Sequence, residues 1–169
     1  MTSAPDLDAL RRGETGHDPR RPEYVYVASS WRCERQPAVI AALEAAGIEC
    51  YDFRHPSPGD DGFSWKDTGG KALGVHGMTL ESAENYLRMI QHPRAVIGFE
   101  KDFAAMERAD AFVLVLPCGR SAHLELGWAV GVGKRTAVLL EDPLEPELMY
   151  RMVDHLSTSI EDLLGWFGA

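Results

Sequence analysis

A continuous apolar run, Tyr24–Ala28, ends abruptly in a polar Ser-Ser-Trp-Arg turn. Runs of this kind are typical of strands that are buried on both faces of a parallel sheet. Residues 37–47 then begin with a proline, repeat apolar residues at helical spacing and stop at a glycine. Because residues 48–53 form a second β-rich run, the chain opens with a βαβ unit whose two strands must be parallel.

The same alternation continues to the end of the chain. Further strands are predicted at 111–116, 136–140 and 156–159, and further helices at 79–90, 96–108, 121–132 and from 160 onward. The sequence therefore predicts an α/β fold: a single doubly wound domain of the Rossmann or flavodoxin-like type, with a parallel sheet of about five strands flanked by helices.

Two segments stand apart from this alternation. Residues 1–22 lack apolar periodicity and are interpreted as a mobile tail, which leaves 23–169 as the folded domain. Residues 54–77 are crowded with Gly, Pro and Asp, yet they contain Phe63, Trp65 and His76. A loop of this length is either a lid or binding loop, or a segment that drapes over the sheet end.

Composition narrows the classes of partner. The formal net charge of −9 disfavours a polymeric nucleic acid, although a few local arginines can still hold one phosphate. The three cysteines are far apart and form no metal-binding pattern, so neither a metal nor another cofactor is expected. No apolar run is long enough to cross a membrane and the start of the chain is polar, which predicts a cytoplasmic protein.

Glu125 is the first candidate catalytic residue. It follows the turn between a buried strand and a helix, at the edge of the sheet where ligands bind in such folds. If Ser121 is the N-cap of that helix, Glu125 lies just after the first turn, and its carboxylate leans back over the crevice near free backbone N–H groups. The alternative is an ordinary solvent-facing helix residue, but Leu124, Gly127 and Trp128 predict a closely packed helix.

Asp102 is the second candidate. Phe99, Phe103 and Met106 recur at helical spacing, and Asp102 lies on the same predicted apolar stripe. A carboxylate that faces a core needs either a partner or a function, and the alternative is a boundary residue that bonds nearby backbone.

Several polar residues fall near the same edge of the predicted sheet. Taken alone, Tyr26 is a strand aromatic whose hydroxyl needs a partner if it is buried. Arg32 and Arg120 are either ligands for an anion or solvated surface residues, and His123 is either a ligand contact or a surface histidine.

Three segments of the chain resemble the nucleoside 2-deoxyribosyltransferase-like superfamily, which includes nucleoside monophosphate N-glycosidases and hydrolases. They are Tyr26-Val-Ala-Ser-Ser-Trp-Arg32, then Glu100-Lys-Asp102 with Arg108-Ala-Asp110-Ala-Phe-Val-Leu-Val, and His123-Leu-Glu125-Leu-Gly-Trp-Ala-Val-Gly-Val-Gly-Lys134. The similarity spans roughly residues 24–140. The third segment is the most specific, because family members place a nucleophilic Glu in an E-[LI]-G-x-A sequence.

The resemblance implies a retaining mechanism without a cofactor. Glu125 attacks C1′ of a nucleoside or nucleoside 5′-monophosphate, Asp102 gives a proton to the departing base, and the Tyr26 hydroxyl orients the nucleophile. Water or a second base then resolves the glycosyl ester. The residues expected to bind the substrate are Ser29, Arg32, Gly119, Arg120, Ser121 and His123. Gly119 stands where members often carry an acidic or hydroxyl residue. The resemblance therefore decides neither which base is cleaved off nor whether a 5′-phosphate is required.

Two other functions are compatible with the same residues. TIR domains also place a Glu in a Ser-rich turn and helix, and they imply cleavage of NAD. A nucleotide-binding sensor without turnover would keep the same pocket. Because relatives assemble, a homo-oligomer (a dimer or higher) is expected, and the terminal Trp166 and Phe167 would pack either on a partner or on the chain's own core.

Overall fold

The structure, a computed structural model, describes residues 21–68, 83–140 and 145–169, without the side chains of residues 66 and 67. The predicted tail 1–22 therefore lies outside the described residues except for its last two positions. His76 and the first four residues of the helix predicted at 79–90 also lie outside them. The chain divides into two compact units, Met1–Tyr51 with Arg108–Ala169, and Asp52–Glu107.

A five-stranded parallel sheet forms the centre of the first unit, in the order β2-β1-β3-β4-β5. The strands are β1 Tyr24–Ala28, β2 Glu49–Tyr51, β3 Ala111–Val115, β4 Arg135–Leu139 and β5 His155–Ser157. The described residues contain five α-helices: α1 Gln36–Ala45, α2 Ala83–Ile90, α3 Pro93–Arg108, α4 Arg120–Gly131 and α5 Ile160–Phe167. The predicted fold class, a doubly wound flavodoxin-like sheet with flanking helices, is confirmed.

The two faces of the sheet pack against different helices, because successive strand residues point to opposite sides. Val25, Val27 and Val113 belong to one buried apolar cluster with Leu43 of α1 and Leu163 of α5. The intervening strand residues face the other side, where α4 packs. The connections from β1 to β2 and from β3 to β4 run in opposite directions across the sheet, and right-handed crossovers then place their helices on opposite faces.

The carboxyl-terminal helix α5 begins where the sequence predicts. Ser159 is its N-cap, and its Oγ accepts a hydrogen bond of 3.1 Å from the backbone N–H of Asp162. Phe167 is fully buried in the apolar cluster, and the Trp166 ring lies 4.9 Å from it, centroid to centroid. Phe167 therefore packs in the chain's own core rather than on a partner, which were the two alternatives predicted for the terminal aromatic residues.

Some predicted boundaries are wrong. Helix α3 begins at Pro93 rather than at residue 96, because proline suits a first helical position and the His92 Nδ1 accepts the Arg94 N–H at 3.2 Å. Helix α4 begins at Arg120, and its N-cap is Gly119 rather than Ser121. Glycine is tolerated at an N-cap, and Gly119 adopts the extended backbone that a cap requires.

The unit Asp52–Glu107 contains α2, most of α3 and the described part of the long loop. Phe63 packs so closely on α3 that a Cβ added at Gly98 would lie 2.8 Å from the Phe63 Cβ. Lys101 donates a hydrogen bond to Asp60, which together with the Gly62 N–H lowers the pKa of that carboxyl. The described part of the loop is thus packed against helix, and its predicted role as a lid stays a prediction.

None of the helices in the described ranges is both long and apolar enough to cross a membrane.

Candidate active site

The strand order places a topological switch point between β1 and β3. The chain leaves these adjacent strands in opposite directions, which opens a crevice beyond their carboxyl ends, where ligands bind in open α/β sheets. Ser29 lies at this crevice and is half-buried, and its Oγ donates a hydrogen bond of 2.9 Å to the Val115 carbonyl. Ser29 therefore bridges the ends of the two strands.

The turn after β1 is held by its own hydrogen bonds. The Cys33 N–H donates to the Ser30 carbonyl at 2.9 Å, and the Arg32 N–H donates to the Ser30 Oγ at 3.3 Å. The buried Cys33 Sγ lies 3.6 Å from the Leu116 carbonyl, which ties this turn to the end of β3. Arg32 is exposed on the turn, which is compatible with both alternatives, an anion ligand and a solvated surface residue.

Tyr26 lies in a row of aromatic rings that crosses three neighbouring strands. Its ring stacks on Tyr51 of β2 at 5.2 Å and on Phe112 of β3 at 5.0 Å, and only 1% of its surface is exposed. The Trp128 ring of α4 lies 6.0 Å from Phe112. Tyr26 is thus fixed on the face of the sheet that α4 covers.

Glu125 lies on the side of α4 that borders the sheet. The buried residues of this helix are Ala122, Leu126 and Ala129, and Glu125 is half-buried beside this stripe, one turn before Trp128. It is the sixth helical residue, because α4 begins at Arg120, so it lies further from the free N–H groups than an N-cap at Ser121 implies. Its side chain approaches them only by leaning toward the helix start.

The exposed start of α4 carries three of the predicted substrate-binding residues: Gly119, Arg120 and Ser121. The Gly119 cap makes no side-chain hydrogen bond to the helix, so the first turn offers its N–H groups at the carboxyl edge of the sheet. An anion would be favoured there by the helix dipole.

Cys118 and His123 lie together beside this helix start. The His123 Nδ1 is 2.9 Å from the Gly119 carbonyl and 3.4 Å from the Cys118 Sγ. Since a carbonyl only accepts, Nδ1 must carry a proton, and it cannot take one from the thiol. Burial raises the pKa of Cys118 to about 12, and the proximity of Cys33 and Glu125 adds to this effect. The pair is therefore not a thiolate-imidazolium dyad.

We expect Cys118 to alkylate very slowly. A thiol with a pKa of about 12 is roughly 10⁻⁴ ionised at pH 8, about a thousandfold less than an ordinary cysteine. The measurement is iodoacetamide labelling of the Cys118 peptide followed by mass spectrometry between pH 7 and 10.5, with glutathione as the reference thiol. The rate should rise about tenfold per pH unit throughout. A plateau near pH 9 would contradict the raised pKa.

Asp102 lies in the other unit, on α3, and is half-buried. The buried residues of α3 are Ala95, Gly98, Ala105 and Met106, and Asp102 falls on that stripe by helical spacing. The predicted apolar stripe through Phe99 is wrong, because 64% of Phe99 is exposed. Asp102 is nevertheless on the buried side of its helix, as expected, but that side is defined by Gly98 and Ala105 rather than by Phe99.

One residue of the arrangement was missed by reasoning from the sequence. The Tyr150 hydroxyl lies 2.9 Å from the His123 Nε2, and the two rings are parallel to within 6°. The only signal in the sequence is a tyrosine in a segment without regular periodicity, 27 residues from its partner. Cys118 had a clearer signal, because it lies two residues after the strand predicted at 111–116.

No group of three or more His, Cys, Asp or Glu side chains within residues 21–68, 83–140 and 145–169 is arranged to hold a metal ion. The segments that follow β1 and β3 instead carry a carboxylate, hydroxyls, guanidinium groups and backbone N–H groups. Such a set can supply a nucleophile and bind an anion.

Comparison with known proteins adds evidence about the fold. No family model and no curated protein sequence matches the chain. Among solved structures, it is similar to a 2-deoxyribosyltransferase from the psychrotolerant bacterium Bacillus psychrosaccharolyticus, with a TM-score of 0.54 and 15% identity over 83% of this chain and 89% of that one. The chain has the fold of this 2-deoxyribosyltransferase.

A second match is the CMP N-glycosidase of Clostridium botulinum, with a TM-score of 0.46 and 15% identity over 86% of this chain and 99% of that one. At the level of the fold, the first match confirms the resemblance that the three sequence segments predict.

Proposed function

We propose that the protein cleaves the N-glycosidic bond of a nucleoside or nucleoside 5′-monophosphate, with Glu125 as the nucleophile. The observation that carries the proposal is the position of Glu125, half-buried on the sheet side of α4 and close enough to Cys118 to raise the pKa of that thiol. Both residues belong to the segment that follows β3, at the carboxyl edge where ligands bind in this class of fold.

The reaction has two steps. A Glu125 carboxylate oxygen forms a bond to C1′ while the C1′–N bond breaks, and the bonding electron pair leaves with the base, which takes a proton from Asp102. Water then attacks C1′ and gives a proton to the Asp102 carboxylate while the C1′–O bond to Glu125 breaks, which releases the sugar and restores both carboxyl groups. In the transferase version of this step, the nitrogen of a second base replaces water.

Tyr26 is proposed to orient the nucleophile. Its ring is held between Tyr51 and Phe112, so its hydroxyl has little freedom, and a fixed donor is what orientation requires. We propose that the substrate site is lined by Ser29, Arg32, Gly119, Arg120, Ser121 and His123. Arg32 and the first turn of α4 supply the positive character that a 5′-phosphate needs in a chain of net charge −9.

The test is chromatography of the purified protein after incubation with ribo- and deoxyribonucleosides, their 5′-monophosphates and NAD. Release of a free base from a nucleoside or nucleotide supports the proposal, and addition of a second base separates transfer from hydrolysis. Release of nicotinamide from NAD alone would favour the NAD glycohydrolase instead. A thermal shift with a nucleotide but without any product would favour the sensor.

We further propose that the enzyme acts in the cytoplasm as a homo-oligomer. Its three cysteines are free thiols, which suits a reducing compartment. Large apolar side chains are exposed on the described helices α2 and α3, at Tyr86, Leu87, Ile90, Val96, Ile97 and Phe99. Exposed apolar area of this kind is typical of a protein–protein interface, and light scattering on the purified chain measures the assembly directly.

A further inference from the structure

A side-chain contact joins the described part of the connection between β4 and β5 to the first turns of α4. The part of this connection that the structure describes contains the 3-10 helix Leu148–Met152, in which Tyr150 lies. The Tyr150 hydroxyl is 2.9 Å from the His123 Nε2. The two nearly parallel rings, with centroids 5.9 Å apart, define the orientation of the imidazole.

The hydrogen bonds of this contact have a fixed direction. The His123 Nδ1–H donates to the Gly119 carbonyl, so in the neutral imidazole Nε2 is an acceptor. The Tyr150 hydroxyl must therefore donate to Nε2. Burial raises the pKa of Tyr150 to about 12, with further contributions from Cys118 and Glu147, so the phenol keeps its proton throughout the neutral range.

These directed bonds run from Tyr150 through His123 to Gly119, the N-cap of the helix that carries Glu125. Gly119 has no side chain with which to hold its own helix, and His123 holds its carbonyl instead. Glu125 is two residues beyond His123 on the same helix. The His123 backbone N–H lies 3.4 Å from the same Gly119 carbonyl, so rotation of the imidazole would remove the shorter of the two bonds to the cap peptide of the helix that carries Glu125.

We propose that Tyr150 and His123 are positioning residues of the nucleophile: together they fix the N-cap peptide of α4 and, through it, the aim of the Glu125 carboxylate. This inference rests on the proposed function. Both nitrogens of the His123 ring are used within the protein, so the ring acts through Gly119 rather than by exchanging a proton with the substrate. Loss of the contact should thus lower kcat more than it raises KM.

The test compares four variants by base release. Tyr150→Phe removes only the hydroxyl, and His123→Asn keeps a donor near the Nδ1 position but loses the partner of Tyr150. Tyr150→Phe should lower kcat about fivefold to tenfold with KM within about twofold, and His123→Asn should lower kcat by a similar factor and also raise KM, because His123 is proposed to line the substrate site. The kcat of the double variant should be no lower than that of the less active single variant. Tyr86→Phe, at an exposed tyrosine of α2, is the matched control and should keep the wild-type kcat.

A second readout does not depend on activity. Long-range ¹H–¹⁵N spectra of the wild-type protein should show His123 protonated at Nδ1 when neutral. The Nε2–H form would overturn the proposal. A wild-type kcat in Tyr150→Phe would also overturn it, as would a loss of activity that only follows a lower melting temperature. If the wild type releases no base from any nucleoside or nucleotide, the proposed function itself fails, and that result is distinct from an active enzyme with insensitive variants.

Discussion

Glu125→Ala is expected to lower the rate of base release by about 10³-fold or more while the protein stays folded. In the proposed mechanism the variant has no nucleophile to form the bond to C1′, so the covalent intermediate cannot form even if the substrate still binds. Glu125→Gln should behave in the same way, because an amide of the same shape is a very poor nucleophile. The measurements are kcat and KM by chromatography of the released base, with circular dichroism to verify the fold.

The control is Glu44→Gln, which neutralises an exposed glutamate of α1 and should leave kcat unchanged. The pKa of Cys118 tests the position of Glu125 without any substrate. Since the Glu125 charge is one of the causes that raise the pKa of Cys118, Glu125→Gln should lower that pKa and speed the alkylation of Cys118 at high pH. Full activity in Glu125→Gln would refute the assignment of the nucleophile.

Phe167→Ala is expected to cost about 3 to 5 kcal/mol of the free energy of unfolding. The ring is fully buried, and it belongs to the apolar cluster that joins α1 and α5 to the sheet. Its removal leaves a cavity in that cluster and deprives Trp166 of its ring contact. Urea titration of both proteins gives the difference, with the slope of the transition as a check on two-state unfolding.

The matched control for this change is Leu148→Ala. The Leu148 side chain is 73% exposed and lies outside the proposed interface on α2 and α3, so its loss should cost no more than about 1 kcal/mol. If Phe167 instead lay between two copies of the chain, the substitution would change the assembled mass and leave the unfolding of the isolated chain nearly unaffected. Light scattering alongside the titration distinguishes these results.

The elements that could be predicted best are those whose signals are local. The apolar runs of β1 and β3 are buried on both faces, and only a central parallel strand needs such a run. The start of α5 was predictable because Ser159 caps it through an ordinary side-chain hydrogen bond. The strand order β2-β1-β3-β4-β5 was not predicted, because no local signal in the sequence specifies which strands are neighbours.

Other features were missed because they depend on contacts between distant segments. Hydropathy favoured Phe99 as a buried residue, yet α3 buries Ala95 and Gly98, because a bare Cα at Gly98 allows Phe63 to approach. The cap of α4 was misplaced although the contact concerned is local, between residues four apart. Ser121 is the better capping residue by type, but His123 holds the Gly119 carbonyl instead.

The candidate site was predictable in part. Glu125, Ser29 and Arg32 could be placed from the rule that the carboxyl ends of parallel strands meet at one edge, and the described positions agree with that rule. The role of each residue came from the resemblance and stays a proposal. Tyr150 could not be found in advance, because no local pattern links it to His123.

The bond from Ser29 to the Val115 carbonyl limits the shape of a molecule that can enter the crevice. Pairing between β1 and β3 ends at Ala28 and Leu114, and this side-chain bond extends the contact one residue further. The two strand tips are therefore tied together, and a ligand that parted them would first have to break this hydrogen bond, at a cost of about 0.5 to 1.5 kcal/mol. A flat ring at this edge is thus favoured above the tips rather than between them.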